Sequence, residues 1–383
     1  MHSLDIYAQD KLASLRQRHL YRALNETLRE DGIWVERDER RLLSFSCNDY
    51  LNLTQHPAIK KAAIAAIEEF GAGSGASRLV TGNHPLYARL EARLAEFKRT
   101  EAACVFGSGY LANTGIIPAL IGSDGLVLLD EFSHACIYAG AQLSRGQVKT
   151  FHHNDVDHAH ALLGAHRAQH DRALIVTDGV FSMDGDIAPL DDLLTLAEQY
   201  DTWLMSDDAH GIGVVGGGRG SSFTKNSRIA VPLQMGTLSK AVGSYGGYLC
   251  ASAPVVELMR NRARTLIYST GLPPASVAAA IAALDLIERE PAYAALPVAK
   301  AKAFTARVGL PEAQSPIVPI VIGDEQAALS ASRTLEDEGF LVVAIRPPTV
   351  AGGTARLRLA FTAQHPDHEI ARLADIVRDR WLA

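Results

Sequence analysis

Lys240 is the first residue whose setting could do chemistry. It lies in MGTLSKAVGSYGG, among small and hydroxyl residues, with no acidic neighbour in sequence. A lysine placed this way can be desolvated and its pKa lowered, which suits it to Schiff-base formation. Thr237 and Ser239 beside it can donate hydrogen bonds to a phosphate. The alternative is an ordinary surface lysine. Asp207-Asp208-Ala209-His210-Gly211 directly follows the apolar run WLMS. At the carboxyl end of a parallel strand such residues face a ligand crevice. An aspartate there can keep a pyridinium nitrogen protonated and make the ring an electron sink. His210, three residues on, can reach the same ligand. Read as a metal pair, DDAH lacks a second cluster of matching ligands. GSGYLANTG, which contains Ser108, Gly109 and Tyr110, joins an expected strand to an expected helix. Its glycines let backbone N–H groups approach an anion at the helix N-terminus. Its spacing fits neither GxxxxGK[ST] nor GxGxxG, and GAGSGAS lacks the following lysine, so a nucleotide site is disfavoured. His134 follows LVLLD and can stack on a planar cofactor, act as acid or base, or simply cap a helix. In ARLRL, Arg356 and Arg358 share one side of an expected strand. One of them can clamp a carboxylate, unless the strand is a solvent-facing edge. FHHNDVDHAHALLGAHRAQH holds six histidines. Their irregular spacing on an expected surface helix favours a solvated face over a metal site.

The elements that must position these residues follow from periodicity. The first thirty residues predict one amphipathic helix ending near Asp31-Gly32, with Leu12, Leu15, Leu20, Leu24 and Leu28 on its apolar face. Residues 33–45 predict a hairpin turning near Asp38-Glu39. Short apolar strands are expected at 102–106, 126–129, 173–177, 203–206, 234–236 and 248–251. Helical patterns separate most of them, which indicates an α/β fold with a mostly parallel sheet flanked by helices. After Pro291 the pattern changes to a helix, then IVPIVIG, LVVAI and RLRLAF with a helix among them, and a last helix to Trp381: a smaller α+β module. The chain has 383 residues, 48% hydrophobic and 21% charged, which excludes collagen-like, coiled-coil and wholly disordered classes. A net charge of −6 argues against a broad nucleic-acid surface. Cys47, Cys104, Cys136 and Cys250 form no CxxC pair, so no zinc knuckle or disulfide framework is expected, and a reducing, cytoplasmic setting fits. The N-terminus does not read as a signal peptide, and the longest apolar run, 275–284, is too short to span a membrane.

These features occur together, in order, in one family. SFSCNDYLNL, GSGASRLVTG, SHAC, TDGVFSMDGDIAPL, DDAHGIG, GTLSKAVG, LIYSTGLPP and IRPPTV…GTARLRL cover nearly the whole chain. The sequence resembles the α-oxoamine synthases, pyridoxal 5′-phosphate-dependent acyltransferases of the aminotransferase-like fold type I. The IRPPTV…GTARLRL block and Leu20-Tyr21-Arg22 look most like the biotin-pathway branch, which condenses L-alanine with a pimeloyl thioester. A glycine-using sibling is the runner-up. LNL stands where the family usually has LGL, at Asn52, and VAGG where it has VPxG, at Ala351.

The resemblance implies roles. Lys240 would hold the cofactor as a Schiff base and then move the substrate's α-proton. Asp207 would pair with the pyridinium nitrogen, and His210, with Ser182 nearby, would bond the ring hydroxyl. His134 would stack on the ring. Ser108, Gly109, Tyr110, Thr237 and Ser239 would hold ring and phosphate. Asn48, His134 and Arg358 would bind the amino-acid carboxylate, and Arg22, Thr349 and Arg346 the acyl substrate. The resemblance also implies a homodimer in which GAGSGAS reaches the partner's site. Residues 46–290 would form the large cofactor domain. Residues 1–45 would pack with a small domain of residues 291–383. It leaves open whether the acyl group arrives on coenzyme A or a carrier protein. A cofactor-binding protein without catalysis and a metal-dependent hydrolase on DDAH are the readings from other classes.

Overall fold

The computed structural model describes residues 2–18, 20–30, 32–224 and 227–382. In chain order its strands are β1 (Leu28–Arg29), β2 (Trp34–Arg37), β3 (Arg40–Ser44), β4 (Ala102–Phe106), β5 (Gly125–Asp130), β6 (Gln147–Phe151), β7 (Arg172–Asp178), β8 (Trp203–Asp207), β9 (Leu233–Thr237), β10 (Gly247–Ala251), β11 (Ile317–Gly323), β12 (Phe340–Leu341), β13 (Ala344–Ile345) and β14 (Ala355–Ala360). Its α-helices are α1 (Ser3–Gln17), α2 (Pro57–Phe70), α3 (Leu86–Lys98), α4 (Gly109–Leu120), α5 (Ala135–Ser144), α6 (Val156–His166), α7 (Leu190–Gln199), α8 (Ala253–Arg262), α9 (Arg264–Ile267), α10 (Pro274–Arg289), α11 (Pro291–Val308), α12 (Glu325–Asp337) and α13 (Asp367–Val377).

The central sheet has seven strands in the order β4-β10-β9-β8-β7-β5-β6. Strands β5 to β9 run parallel, and β10 is antiparallel to both of its neighbours. The expected mostly parallel sheet is therefore present. Its strands are apolar on both faces because helices cover both. Leu126 and Leu128 of β5 pack with Leu163 of α6 and Leu193 of α7. Val127 and Leu129, pointing the other way, pack with Ile116 and Ile117 of α4 and Ile137 of α5. Because β4 is antiparallel to β10, the carboxyl ends of β4, β5, β7, β8 and β9 all reach one edge.

The terminal segments meet beside that edge. Strand β3 pairs in parallel with β12, with Leu43 opposite Phe340. Ile33, Leu43 and Phe45 share an apolar cluster with Phe304, Leu335, Phe340, Leu357 and Phe361. Strands β11, β14 and β13 form a separate three-stranded sheet. The β2–β3 turn falls at Asp38 (φ 51°) and Glu39 (φ 61°), the two left-handed residues that match the twist of a tight hairpin.

Three expectations need correction. Helix α1 stops at Gln17 instead of running through the first thirty residues, and none of its residues is buried. The leucine spacing already breaks between Leu15 and Leu20. Leu28 and Arg29 are also taken up by pairing with Glu36 and Val35. The expected end near Asp31-Gly32 falls partly on Asp31, which lies outside the described residues. LVVAI is not one strand: β12 joins β3, and β13 pairs with β14 in a different sheet. Edge strand β6 was missed because QVKTF is only partly buried and carries too little apolar pattern. Asn52 adopts φ 55°, ψ 28°, a left-handed conformation that glycine takes freely and asparagine tolerates best among other residues. Among the described residues no helix is long and apolar enough to cross a membrane.

Candidate active site

The five loops leaving the carboxyl edge enclose a cavity of about 230 Å³. Ser108, Gly109, Tyr110, His134, Ser182, Asp207, His210, Thr237, Ser239 and Lys240 all line it. Each is placed by a strand end. Ser108 follows β4 as the N-cap of α4, and its Oγ accepts from the Leu111 N–H at 3.1 Å. His134 follows β5 as the N-cap of α5. Thr237 ends β9, and its Oγ1 lies 2.8 Å from Ser239 Oγ. The α4 turn sits against β10 only because residue 247 is glycine: a Cβ there would stand 2.4 Å from the Ser108 carbonyl oxygen.

Lys240 is half-buried, and its Nζ lies 2.8 Å from His210 Nε2. Burial lowers the lysine pKa to about 8, Arg358 adding to the fall while Asp207 and Asp178 oppose it. Burial, then the charge of Lys240, pushes the His210 pKa well down, so this ring is neutral. With Lys240 charged, Nε2 can only accept, so the ring proton sits on Nδ1 and is donated to Tyr50 Oη at 2.7 Å. Tyr50 Oη in turn donates to Asn48 Oδ1 at 3.3 Å.

Asp207 is buried and held on both oxygens. Asn113 Nδ2 donates to Oδ2 at 2.7 Å, and the Ala209 N–H donates to Oδ1 at 3.0 Å. Asn113 Nδ2 also donates to Cys136 Sγ at 3.0 Å. Burial pushes the Cys136 thiol up to about 12, so it keeps its proton and can donate to His134 Nδ1 at 2.8 Å. The His134 proton then belongs on Nε2. Asp178 lies beside Asp207; burial, then that neighbouring charge, pushes its pKa well up.

Arg358 and Asn48 stand just behind the lining, joined to it through Ser182 and through Tyr50 to His210. The Arg358 guanidinium donates to the Ser182 carbonyl at 2.5 Å, Asn48 Oδ1 at 3.1 Å and Tyr50 Oη at 3.4 Å. Arg356, on the same side of β14, pairs with Asp184. Every residue of β14 is buried, so the edge-strand alternative is excluded. Arg22 and Thr349, expected on the acyl substrate, are brought together: Arg22 donates to Thr349 Oγ1 at 3.2 Å. Neither lines the cavity, and nor does Arg346, whose carbonyl accepts from the Thr349 N–H at 3.1 Å.

Tyr50, Asn113, Cys136 and Asp178 are site residues that the sequence reasoning missed. Tyr50 and Cys136 lie inside family blocks, SFSCNDYLNL and SHAC. Asn113 sits five residues past Ser108, one turn into α4, and Asp178 ends a strand just as Asp207 does. Asp208, the second acid of DDAH, is not a free ligand: it is buried against Lys98, Nζ to Oδ2 2.8 Å. Among the described residues no cluster of three or more His, Cys, Asp or Glu could hold a metal.

The donor set suits pyridoxal phosphate. It offers an amine of lowered pKa, a buried carboxylate held on both oxygens, and a hydroxyl-lined helix N-terminus for a phosphate. The family model for class I and II aminotransferases matches residues 40–377, and the chain belongs to that family of pyridoxal-phosphate enzymes. Sequence relatives sharpen this. An 8-amino-7-oxononanoate synthase from Beijerinckia indica is 60% identical over 98% of both chains. One from Methylocella silvestris is 67% identical over 90% of this chain and 98% of its own. Among solved structures, a serine palmitoyltransferase from S. paucimobilis carrying PLP and myriocin aligns with TM-score 0.92 at 27% identity, covering 99% of this chain and 98% of that one. An 8-amino-7-oxononanoate synthase from Francisella tularensis aligns with TM-score 0.75 at 26% identity, over 88% and 97%. The chain is thus a pyridoxal-phosphate-dependent acyltransferase similar to the 8-amino-7-oxononanoate synthases, the biotin-pathway α-oxoamine synthases.

Proposed function

We propose that the protein condenses L-alanine with a pimeloyl thioester to give 8-amino-7-oxononanoate, carbon dioxide and the free thiol. One observation carries the reading: the Lys240 amine, the Asp207 carboxylate and the Arg358–Asn48 pair converge at the carboxyl edge of one sheet. Lys240, Asp207, His210 and His134, with Ser108, Gly109, Tyr110, Thr237 and Ser239, hold the cofactor. Pyridoxal phosphate, when bound there, supplies an electron sink for the charge left on the alanine Cα. Arg358 and Asn48, with His134, hold the alanine carboxylate. Lys240 Nζ, neutral above about pH 8, takes the Cα proton and later returns it. Asn113 and the Ala209 N–H hold the Asp207 carboxylate by both oxygens and aim it. Arg22 and Thr349 receive the acyl thioester at the outer mouth, with Arg346 beside them. Bond-making balances: the alanine Cα bonds the thioester carbonyl carbon, the thiolate leaves, and the carboxylate of the β-keto acid leaves as carbon dioxide.

The higher TM-score of the serine palmitoyltransferase favours a second reading, a sibling synthase. Backbone likeness at 27% identity weighs less than 60–67% identity to the oxononanoate synthases, since side chains select the substrate. A substrate panel tests this. The expected order is alanine with pimeloyl-CoA or a pimeloyl carrier protein far ahead. Preference for glycine with acetyl- or succinyl-CoA, or for serine with palmitoyl-CoA, overturns it.

Homodimerisation belongs to the same proposal. Leu79, Val80 and Tyr268 are exposed apolar residues. They lie on two segments joined by the Ser77–Thr270 bridge. Burying them against a second copy would bring the glycine-rich stretch toward the partner's cavity. Light scattering that found an active monomer would refute it. Four unpaired cysteines agree with a cytoplasmic setting.

A further inference from the structure

His153 belongs to the six-histidine stretch, yet it has a place that none of the roles above uses. It follows β6 at the same sheet edge as the cavity. Its ring lies between the carboxylate that ends β5 and one from the loop after β7. Nδ1 is 3.1 Å from Asp130 Oδ1, and Nε2 is 2.7 Å from Asp186 Oδ2. A ring that hydrogen-bonds a carboxylate through each nitrogen donates from both and is an imidazolium. Burial alone would lower its pKa, but the hydrogen bonds and charges of Asp130 and Asp186 push it up to about 10. Phe132 stacks on the ring at 4.5 Å and Phe181 meets it edge-on at 4.3 Å, which fixes its plane. The next residue repeats the bridge: the Asn154 N–H donates to Asp130 Oδ2, and Asn154 Nδ2 donates to Asp186 Oδ2, each at 2.8 Å. Other titratable groups near this point are Glu131, whose Oε1 accepts from the His153 N–H at 2.9 Å, His152, exposed and 3.6 Å from Glu131, Tyr138, whose hydroxyl donates to the Glu131 carbonyl at 3.1 Å, and Asp178, which feels the charge of Asp130.

The two carboxylates control different walls of the cavity. Asp130 ends β5 and shapes the turn to His134, its Oδ1 accepting from the Phe132 N–H at 2.8 Å and its carbonyl from the Ser133 N–H at 3.0 Å. Asp186 closes the loop that carries Ser182, its carbonyl accepting from the Phe181 N–H at 3.0 Å. Ser182 in turn places Arg358. Without a cation between them, Asp130 and Asp186 would repel, with Asn154 alone left to bridge them.

We propose that His153 is a positioning residue: its imidazolium ties the His134 turn to the Ser182 loop and so sets the amino-acid end of the cavity. The proposal rests on reading that end as the alanine site. The test uses purified holoenzyme carrying His153→Gln, Asp186→Asn, or both. Each single variant is expected to keep its cofactor and visible absorbance band. KM for alanine should rise at least tenfold while kcat stays within threefold and KM for the thioester is unchanged. The double variant should be no worse than His153→Gln alone, because both break one clamp. The proposal is overturned if alanine KM stays within twofold of wild type in both single variants. It is equally overturned if both KM values rise while kcat and cofactor content fall together, or if the two losses multiply. Should His153→Gln fail to fold, Asp186→Asn, whose side chain is part-exposed, decides alone. If the wild type rejects alanine, the functional reading fails. The clamp is then scored by the same variants in a spectral titration with the amino acid the wild type accepts.

Discussion

Replacing Arg358 with methionine removes the guanidinium while keeping much of its volume, so the cavity left behind is small. The guanidinium holds three partners: the Ser182 carbonyl, Asn48 Oδ1 and Tyr50 Oη. In the proposed complex it also binds the alanine carboxylate. A hydrogen bond to a charged group contributes about 1.5–3 kcal/mol, so kcat/KM for alanine should fall roughly 10- to 150-fold. A second effect follows from electrostatics. Arg358 helps depress the Lys240 pKa, so the variant's lysine should titrate above about 8 and its rate should reach a plateau at higher pH. Steady-state kinetics with alanine varied at saturating thioester measures the first effect, and a pH profile measures the second. The KM for the thioester is the control and should not move. A fall of less than threefold in kcat/KM for alanine, or an equal loss for both substrates, would refute the role given to Arg358.

Three further outcomes are expected. In cofactor-free protein, cyanate should carbamylate Lys240 with a midpoint near pH 8, since burial favours the neutral amine there; mass spectrometry showing a midpoint above 10 contradicts this. Lys98→Met leaves Asp208 buried without its cation and should cost about 3–5 kcal/mol in urea unfolding; a loss under 1 kcal/mol would show that the pair is not needed. Arg22→Ala should raise KM for the pimeloyl thioester and leave alanine KM unchanged, because Arg22 bonds Thr349 outside the lining whereas Arg358 bonds Ser182, which lines the cavity. The opposite pattern would move Arg22 to the amino-acid end.

Much of the central sheet could be read from the chain because β5, β7, β8 and β9 are short apolar runs buried on both faces. The residues at their carboxyl ends were readable for the same reason: topology sends such ends to one edge. What escaped depends on contacts distant in sequence. Edge strand β6 has two of its five residues exposed and only one buried, and so no clear pattern. Asn113 is an unremarkable helix residue until folding brings Asp207 to 2.7 Å. Tyr50 becomes a site residue only through His210, 160 positions away. The histidine stretch read as a solvated face, whereas His153 is largely buried between the carboxylate that ends β5 and one from the loop after β7. The N-terminal leucines were misleading because α1 buries none of its residues within one chain.

The central claim is a decarboxylating condensation carried out by Lys240 on alanine. The most direct measurement incubates the holoenzyme with pimeloyl-CoA and alanine labelled with ¹³C in its carboxyl group, and follows both products by mass spectrometry. The account predicts labelled carbon dioxide, an unlabelled 8-amino-7-oxononanoate, and neither from Lys240→Ala. Label retained in the condensed product, or undiminished turnover by Lys240→Ala, would contradict it.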